Sequence, residues 1–557
     1  VAAGETPSPE MVAAAAEKPA DRRSIVALFV AALLGLAAVF LLADRTMFLP
    51  QAGLEKPPAV LVDRAEELLK QLGHESPEPG RVSGFTIDQG YLEYVADHPE
   101  AAREDLPGVY FWYRQGDRRL TPPPPLGGTA SPGRLPPVEG INVVHLDGSG
   151  RLLRLAVYQR SALVTGEERP KGIDWSAVFT AAELDPLAYE AVVPNSPPPM
   201  FADEVVAWKC RNGSDPSLPR RIEAAATAGR IVFFDVVLPW EKTDRKAASR
   251  SLSSTTAPAF VALFWLRVIT ILAALVLAQH NLRLGRGDVR AARRLALFVF
   301  VLAILDWIVG ERHSTAFREE ASAALLWTSR ATFLAAIAWF TYVAVEPYVR
   351  RLWPQTLITW SRLIAGRVRD TLVGRDLLVG TVLGIALTAL DQLDILLGGW
   401  FGGGAVIAKL PSAGYELGEL LGLRYKVGTV ISQALSAVTL GMFMLLLLLL
   451  LRIVLRDGRR GAVAFVAIVT IVTGYWATID TSYPWALGLV TGIAVVFVLT
   501  RVGFVALTIG LFVQAILMAN PVTLHWAAWY APAAIFAGLV PLALVGYGFC
   551  TACRPWP

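Results

Sequence analysis

The chain has 557 residues, 54% of them hydrophobic and 18% charged, with a mean hydropathy of +0.47. Apolar runs near 20 residues recur through its second half, about the length that crosses a hydrocarbon core of roughly 30 Å. This excludes a wholly water-soluble protein and defines a polytopic α-helical membrane protein with one sizeable water-facing domain. The net charge of +4 is loop asymmetry, because no Lys/Arg block is interleaved with aromatics outside the membrane loops; no nucleic-acid partner is expected.

Residues 1–23 are rich in Ala, Pro and Glu, lack a period, and read as a flexible cytoplasmic tail. Ser24–Ala43 is an uninterrupted apolar run preceded by Lys18, Arg22 and Arg23. It has no A-x-A-like site before Asp44 and reads as an uncleaved anchor with the N-terminus in the cytoplasm.

Residues 45–257 form an extracytoplasmic α+β domain. Leu61, Ala65, Leu68, Leu69 and Leu72 mark an amphipathic helix opened by Pro57-Pro58. Val109–Tyr113 is a β-rich run, and Asn142–Tyr158 is a hairpin around Asp147-Gly148-Ser149-Gly150. The order then recurs: Trp175, Val178, Phe179 and Ala182 mark a short helix with Asp174 as candidate N-cap. Glu204–Trp208 is a strand and Arg221–Val237 a second hairpin. Gly150-Arg151 and Gly229-Arg230 fall at equivalent places, which predicts two helix-then-three-strands units, about residues 57–160 and 174–240. In pattern the domain resembles the small α+β modules of the PepSY type. Pro122–Pro125 reads as a stiff linker. His74, His98 and His145 are not at metal-ligand spacing, and a structural role is expected for His145 in mid-strand.

Residues 258–553 form a bundle of about nine further spans, near 259–280, 295–309, 323–345, 377–397, 429–451, 462–479, 485–500, 502–519 and 526–549. Charge orients them. The loops expected inside hold Arg283, Arg286, Arg290, Arg293 and Arg294; then six arginines between Glu346 and Gly380; then Arg452, Arg456, Arg459 and Arg460. This asymmetry predicts ten spans with both termini in the cytoplasm, in a bacterial inner membrane.

Two groups within the bundle carry candidate chemistry. Arg267, Asp306, Arg330, Asp391 and Asp394 lie within predicted spans, where a charge costs about 2.5–3.5 kcal/mol on insertion scales. They predict a polar network: Asp–Arg pairs that hold helices together, a polar pocket for a ligand or for coupling, or an ion path. In the arginine-rich loop, Trp353, Leu357, Trp360 and Ile364 recur at helical spacing, with Arg350, Arg351, Arg362 and Arg367 off that stripe. The pattern predicts a helix lying on the inner membrane face, in contact with anionic lipid or a cytoplasmic partner.

Enzyme signatures are missing. There is no G-x-x-x-x-G-K-[ST] loop, no G-x-G-x-x-G after a strand, and no V-A-I-K, H-R-D or D-F-G kinase motif. Gly398–Gly404 lies in an outer loop, away from any nucleotide. Glu319-Glu320 is similar to the paired glutamates of CPBP-type proteases, but Ala324 stands where that motif wants arginine. Cys210 is isolated, and Cys550 and Cys553 form one CxxC with no second pair, read as two incidental small residues. No cofactor, metal or catalytic residue is expected.

Ala2–Ala15, Asn281–Phe300 and Glu346–Gly380 together resemble the C-terminal region of large bacterial membrane-anchored serine/threonine protein kinases. The resemblance covers essentially the whole chain in the same order: Ala/Pro/Glu tail, one span, outer domain, multi-span bundle. It implies the membrane and sensor region of such a kinase, with the catalytic residues upstream of Val1. The implied partners are the lipid bilayer, a cytoplasmic kinase domain in cis or trans, and an unidentified extracytoplasmic ligand. A transporter or channel using the intramembrane Asp and Arg residues is the alternative.

Overall fold

The structure is a computed structural model describing residues 21–74, 80–98, 107–116, 140–158, 172–195, 197–211, 221–240, 257–313, 317–401, 408, 417–475 and 483–554. The tail up to residue 20, the Pro122–Pro125 linker and residues 402–407 of the glycine-rich loop lie outside the described residues.

Helix α1 (Arg22–Thr46) is capped by the Asp21 side chain and leads through a short turn, Leu49–Gln51, into the sheet domain. There α2 (Pro58–Gln71), with proline in its first turn, buries Leu61, Ala65, Leu68 and Leu69. Strand β1 (Gly80–Ile87), helix α3 (Gln89–Asp97), and strands β2 (Val109–Gly116), β3 (Ile141–Asp147) and β4 (Leu152–Tyr158) follow. The second half repeats this order, without a counterpart of α3 among the described residues, in α4 (Ser176–Ala181), β5 (Tyr189–Val192), β6 (Glu204–Cys210), β7 (Arg221–Thr227) and β8 (Arg230–Val237).

All eight strands form one antiparallel sheet of order β1-β2-β3-β4-β8-β7-β6-β5. The order reads alike from either edge, and the halves meet where Leu155 faces Phe234. The last hairpin of each half turns at a left-handed glycine, Gly150 (φ 91°) and Gly229 (φ 75°). Each half holds four strands where the pattern predicts three, the additional ones being the edge strands β1 and β5. β1 is masked in sequence by Gly80 and Gly84; a Cβ on Gly84 would lie 2.9 Å from the Trp112 ring, so the glycine makes room for the indole. β5 has only four residues. One face of the sheet carries Phe85, Phe111, Tyr113, Leu155, Ile222 and Phe234, packed with α2 and α4 in one apolar core.

The bundle consists of α5 (Ala257–Arg283), α6 (Val289–Gly310), α7 (Phe317–Leu352), α8 (Gln355–Ile364), α9 (Thr371–Phe401), α10 (Leu423–Leu455), α11 (Gly458–Tyr475), α12 (Pro484–Arg501), α13 (Phe504–Ala519) and α14 (Ala531–Ala552). Together with α1, seven helices among the described residues are long and apolar enough to cross a membrane: α1, α5, α7, α9, α10, α12 and α14; α13 is apolar but shorter. Lipid-facing character is plainest on α5, where Phe264, Trp265, Ile269 and Leu272 are exposed. By contrast α9 sits at the centre. With little hydrophobic drive between helices in lipid, close backbone approach supplies the packing. Gly374, Gly380 and Gly384 allow it, since a Cβ on Gly384 would come 2.5 Å from Gly510 O on α13 and one on Gly374 2.5 Å from Ala552 N on α14.

Candidate functional site at the junction of sheet and bundle

An open sheet edge presents unpaired backbone groups, and β1 is such an edge. Here the bundle occupies it. Arg312, between α6 and α7, donates to Ser83 O at 2.6 Å and lies 5.2 Å above the Trp112 ring. Leu417, just before the 3-10 turn Gly418–Leu421, donates its N–H to Phe85 O at 3.1 Å. From the connection between α13 and α14, Trp529 stacks on Phe85 (5.7 Å, 22°) and donates Nε1–H to Leu54 O at 3.0 Å. The same connection holds the end of α1, where the Thr523 hydroxyl donates to Asp44 at 2.7 Å and His525 stands 3.6 Å from it. Leu417, Leu420 and Tyr530 thereby join the apolar core of the sheet domain. Three connections at one end of the bundle thus grip one edge of the domain.

Glu419 in that turn is 2% exposed, and its Oε1 has no partner among the described residues. Burial pushes its carboxyl up to about 8, against a smaller opposing effect of its own backbone N–H. Beside the junction, Arg424 at the start of α10 donates to the carbonyls of Val309 (2.9 Å), Ile308 (3.2 Å) and Glu311 (2.5 Å).

The five charges expected within spans separate into distinct places. Asp306 on α6 faces Arg330 of α7 and bonds to Ser432 of α10, while the Arg330 guanidinium lies 4.5 Å over Trp327. Asp391 and Asp394 belong to α9: Gln514 of α13 donates to Asp391 at 3.1 Å, and the Tyr483 N–H to Asp394 at 2.8 Å. Between them Gln392 donates to Val39 O of α1 at 3.0 Å. Arg267 on α5 is exposed and has no ion pair among the described residues. Asp306 and Arg330 lie close enough to act on each other electrostatically.

At the other end of the bundle the arginine-rich loop does form a helix, α8, bounded by Pro354. Its residues Thr356, Leu357, Ile358 and Thr359 are buried, because α8 is wedged against the bundle: Thr356 Oγ1 and Gln355 Nε2 donate to Leu499 O (3.1 Å) and Thr500 O (2.9 Å) of α12. Trp360 meets Phe504 edge-on at 5.2 Å, and Trp353 receives Arg452 over its ring at 4.7 Å. Arg350 pairs with Glu346 and stands 3.8 Å from Asp288; Arg362 pairs with Asp370 at 2.7 Å. Arg350 and Arg362 are thus buried, whereas Arg351 and Arg367 are exposed. A cavity of about 20 Å³, lined in part by Tyr342, Glu346, Trp360, Met442 and Phe504, lies behind α8. It is of single-water size.

The sheet face turned away from α2 and α4 carries a polar row across the strands: Trp112, His145, Arg154 and Asp235. Arg154 grips Asp235 with two bonds, 2.6 and 2.7 Å, and Tyr110 stacks on His145 at 4.9 Å. Burial, with Arg154 and Arg114 nearby, holds the His145 imidazole well below its ordinary pKa and so neutral. No group of three or more His, Cys, Asp or Glu side chains could hold a metal ion among the described residues.

Sequence patterns miss Arg312, Leu417, Glu419 and Trp529. The one available signal is the aromatic group Trp526, Trp529 and Tyr530 in an outer connection; nothing marks Leu417 or Glu419. Compared with protein-family models, with curated proteins and with solved structures, the chain matches none.

Proposed function

We propose that this chain is the non-catalytic membrane and sensor region of a serine/threonine protein kinase-like receptor. The sheet domain senses an extracytoplasmic ligand or envelope state, and the bundle anchors it and relays the signal. In this reading ten helices cross a bacterial inner membrane, α6, α11 and α13 joining the seven long apolar ones. Residues 45–257 are then extracytoplasmic, and residue 1 lies on the ATP side, as the arginine distribution favours.

The observation that carries the reading is the grip of three outer connections on β1. A domain merely tethered by its linkers would have no such contact. Helices α6 and α7 run from this junction to Asp288, Glu346 and Arg350 beside α8, so a shift at β1 has rigid elements through which to travel. Supporting the kinase assignment is the resemblance of the tail and of the two arginine-rich stretches. Reading the coding sequence ahead of residue 1 tests it: a continuous frame encoding a kinase domain is expected, and a stop codon directly ahead overturns it.

A transporter is the second reading, favoured by the buried Asp391, Gln392 and Asp394 in α9. Ion flux into vesicles holding the chain, abolished by Asp391→Asn, would select it.

A further inference from the structure

Resting on the sensor reading, we propose that the Glu419 carboxyl is a proton-binding site that makes docking of the sheet domain on the bundle respond to external pH: protonated when docked, ionised when released. The geometry is that of a carboxyl closed into an interface. Glu419 lies two residues from Leu417, whose N–H closes on Phe85 O, and its turn is packed between β1 and α10. It is almost wholly buried, with Oε1 unpartnered among the described residues.

None of its charged neighbours among the described residues is placed to neutralise it. On β1, Arg81 pairs with Glu66 at 2.9 Å. On α10, Arg424 is engaged by carbonyls at the end of α6, and neither Tyr425 nor Lys426 bonds to Glu419 Oε1. Arg312, on the connection beside β1, is directed to Ser83 O, and Glu311 is half-buried. Among the described residues no charged group contributes to the electrostatics at Glu419; only burial and its own N–H do. An unpaired buried carboxylate is strongly disfavoured, so the group takes a proton instead.

The sign follows. Docked, the carboxyl titrates at about 8; released into water it returns to the ordinary value of about 4.3. Below about 4.3 it is protonated in both states and docking is unhindered. Between those values docking requires proton uptake and weakens up to about tenfold per pH unit. Above about 8 the weakening is complete.

Hydrogen exchange of the full chain in lipid nanodiscs reads this directly, because amide protection in the Leu417–Leu421 segment reports even rare opening of the junction. After correction for the intrinsic pH dependence of exchange, protection in the wild type is expected to fall severalfold to tenfold per unit between pH 5 and pH 8. In Glu419→Gln and Glu419→Leu it is expected to stay flat. Flat protection in the wild type, or the same decline in both variants, overturns the proposal and leaves the sensor reading standing. A decline confined to the wild type but without effect on any cytoplasmic output keeps the proton site and removes the sensor reading.

Discussion

The two ends of the bundle are held by different chemistry. At the end that carries the sheet domain, outer in the proposed topology, Arg312, Leu417 and Trp529 donate to backbone carbonyls of Ser83, Phe85 and Leu54. At the opposite end, inner in that topology, Arg350 with Glu346 and Asp288, and Arg362 with Asp370, are buried ion pairs. A donor bound to a carbonyl can return to water when it lets go, since both groups are solvated again. Breaking a buried ion pair by removing one partner strands a charge. The outer end is thus suited to opening and the inner end to staying fixed, the asymmetry that the proposed relay requires.

The largest effect should come from breaking the inner end. Glu346→Ala leaves the Arg350 guanidinium, 8% exposed, with only Asp288 at 3.8 Å. A loss of about 3–5 kcal/mol in unfolding free energy is expected, read from denaturation in mild detergent. An unchanged midpoint would show that the pair is dispensable. Next in size is the bundle's centre. Gly384→Leu drives a side chain into the α13 backbone and should cost about 1–3 kcal/mol by the same measurement, with α13 displaced.

Arg312→Ala sharpens the contrast at the outer end. It removes a charged donor from Ser83 O, an interaction worth about 1.5–3 kcal/mol. Because the loss falls on docking and not on the domain's own core, amide exchange should rise in β1 and in Leu417–Leu421 while the core strands β3 and β8 keep their protection. Equal loosening of all four would merge junction and domain into one cooperative unit.

Acid should act on the sheet domain in the opposite sense to the junction. His74, buried and bonded to Ile231 O at 2.6 Å, and His145 both have imidazoles held below their ordinary pKa chiefly by burial. Both stay neutral when folded and gain protons on unfolding, so their contribution is present above about pH 6.5 and is lost as pH falls, by up to about 1.4 kcal/mol per unit for each. Denaturation of the wild type should therefore ease below that pH, and His145→Gln should lessen the dependence. The smallest effect belongs to the exposed arginines. Arg351→Ala and Arg367→Ala should change stability by less than about 0.5 kcal/mol, while flotation with anionic vesicles would show whether they hold lipid.

Legibility in the sequence follows local signal strength. The β3–β4 hairpin is announced by Asp147-Gly148-Ser149-Gly150, and Asp147 indeed accepts from the N–H groups of Ser149 (3.0 Å) and Arg151 (2.8 Å). Asp174 bonds to the N–H of Ser176 at 3.0 Å, but it stands one residue ahead of the cap position of α4, which Trp175 holds. The helices of the bundle are readable from apolar length alone, with bounds off by several residues where charged ends extend them, as at Val289 and Phe317. β1 is not readable, because its identity comes from pairing with β2 and from the Trp112 ring over Gly84. The arginine-rich helix is legible as a helix, but its depth is not. Burial of Arg350 and Arg362 depends on Glu346 and Asp370, whose roles only the tertiary fold assigns. The junction is the least legible feature, since it joins residues 54, 83 and 85 to residues 312, 417 and 529. Those pairings have no local pattern.

Central to the account is a sheet domain seated on the bundle and not swinging from it. Pulsed electron–electron spectroscopy between spin labels at Leu187→Cys in the sheet domain and Phe317→Cys at the outer end of α7, both highly exposed positions, measures this in the full chain with Cys550 and Cys553 replaced by serine. The account predicts one narrow distance distribution at pH 5 that broadens when Arg312 is replaced by alanine. A broad distribution in the wild type at that pH, unaffected by Arg312→Ala, would contradict it.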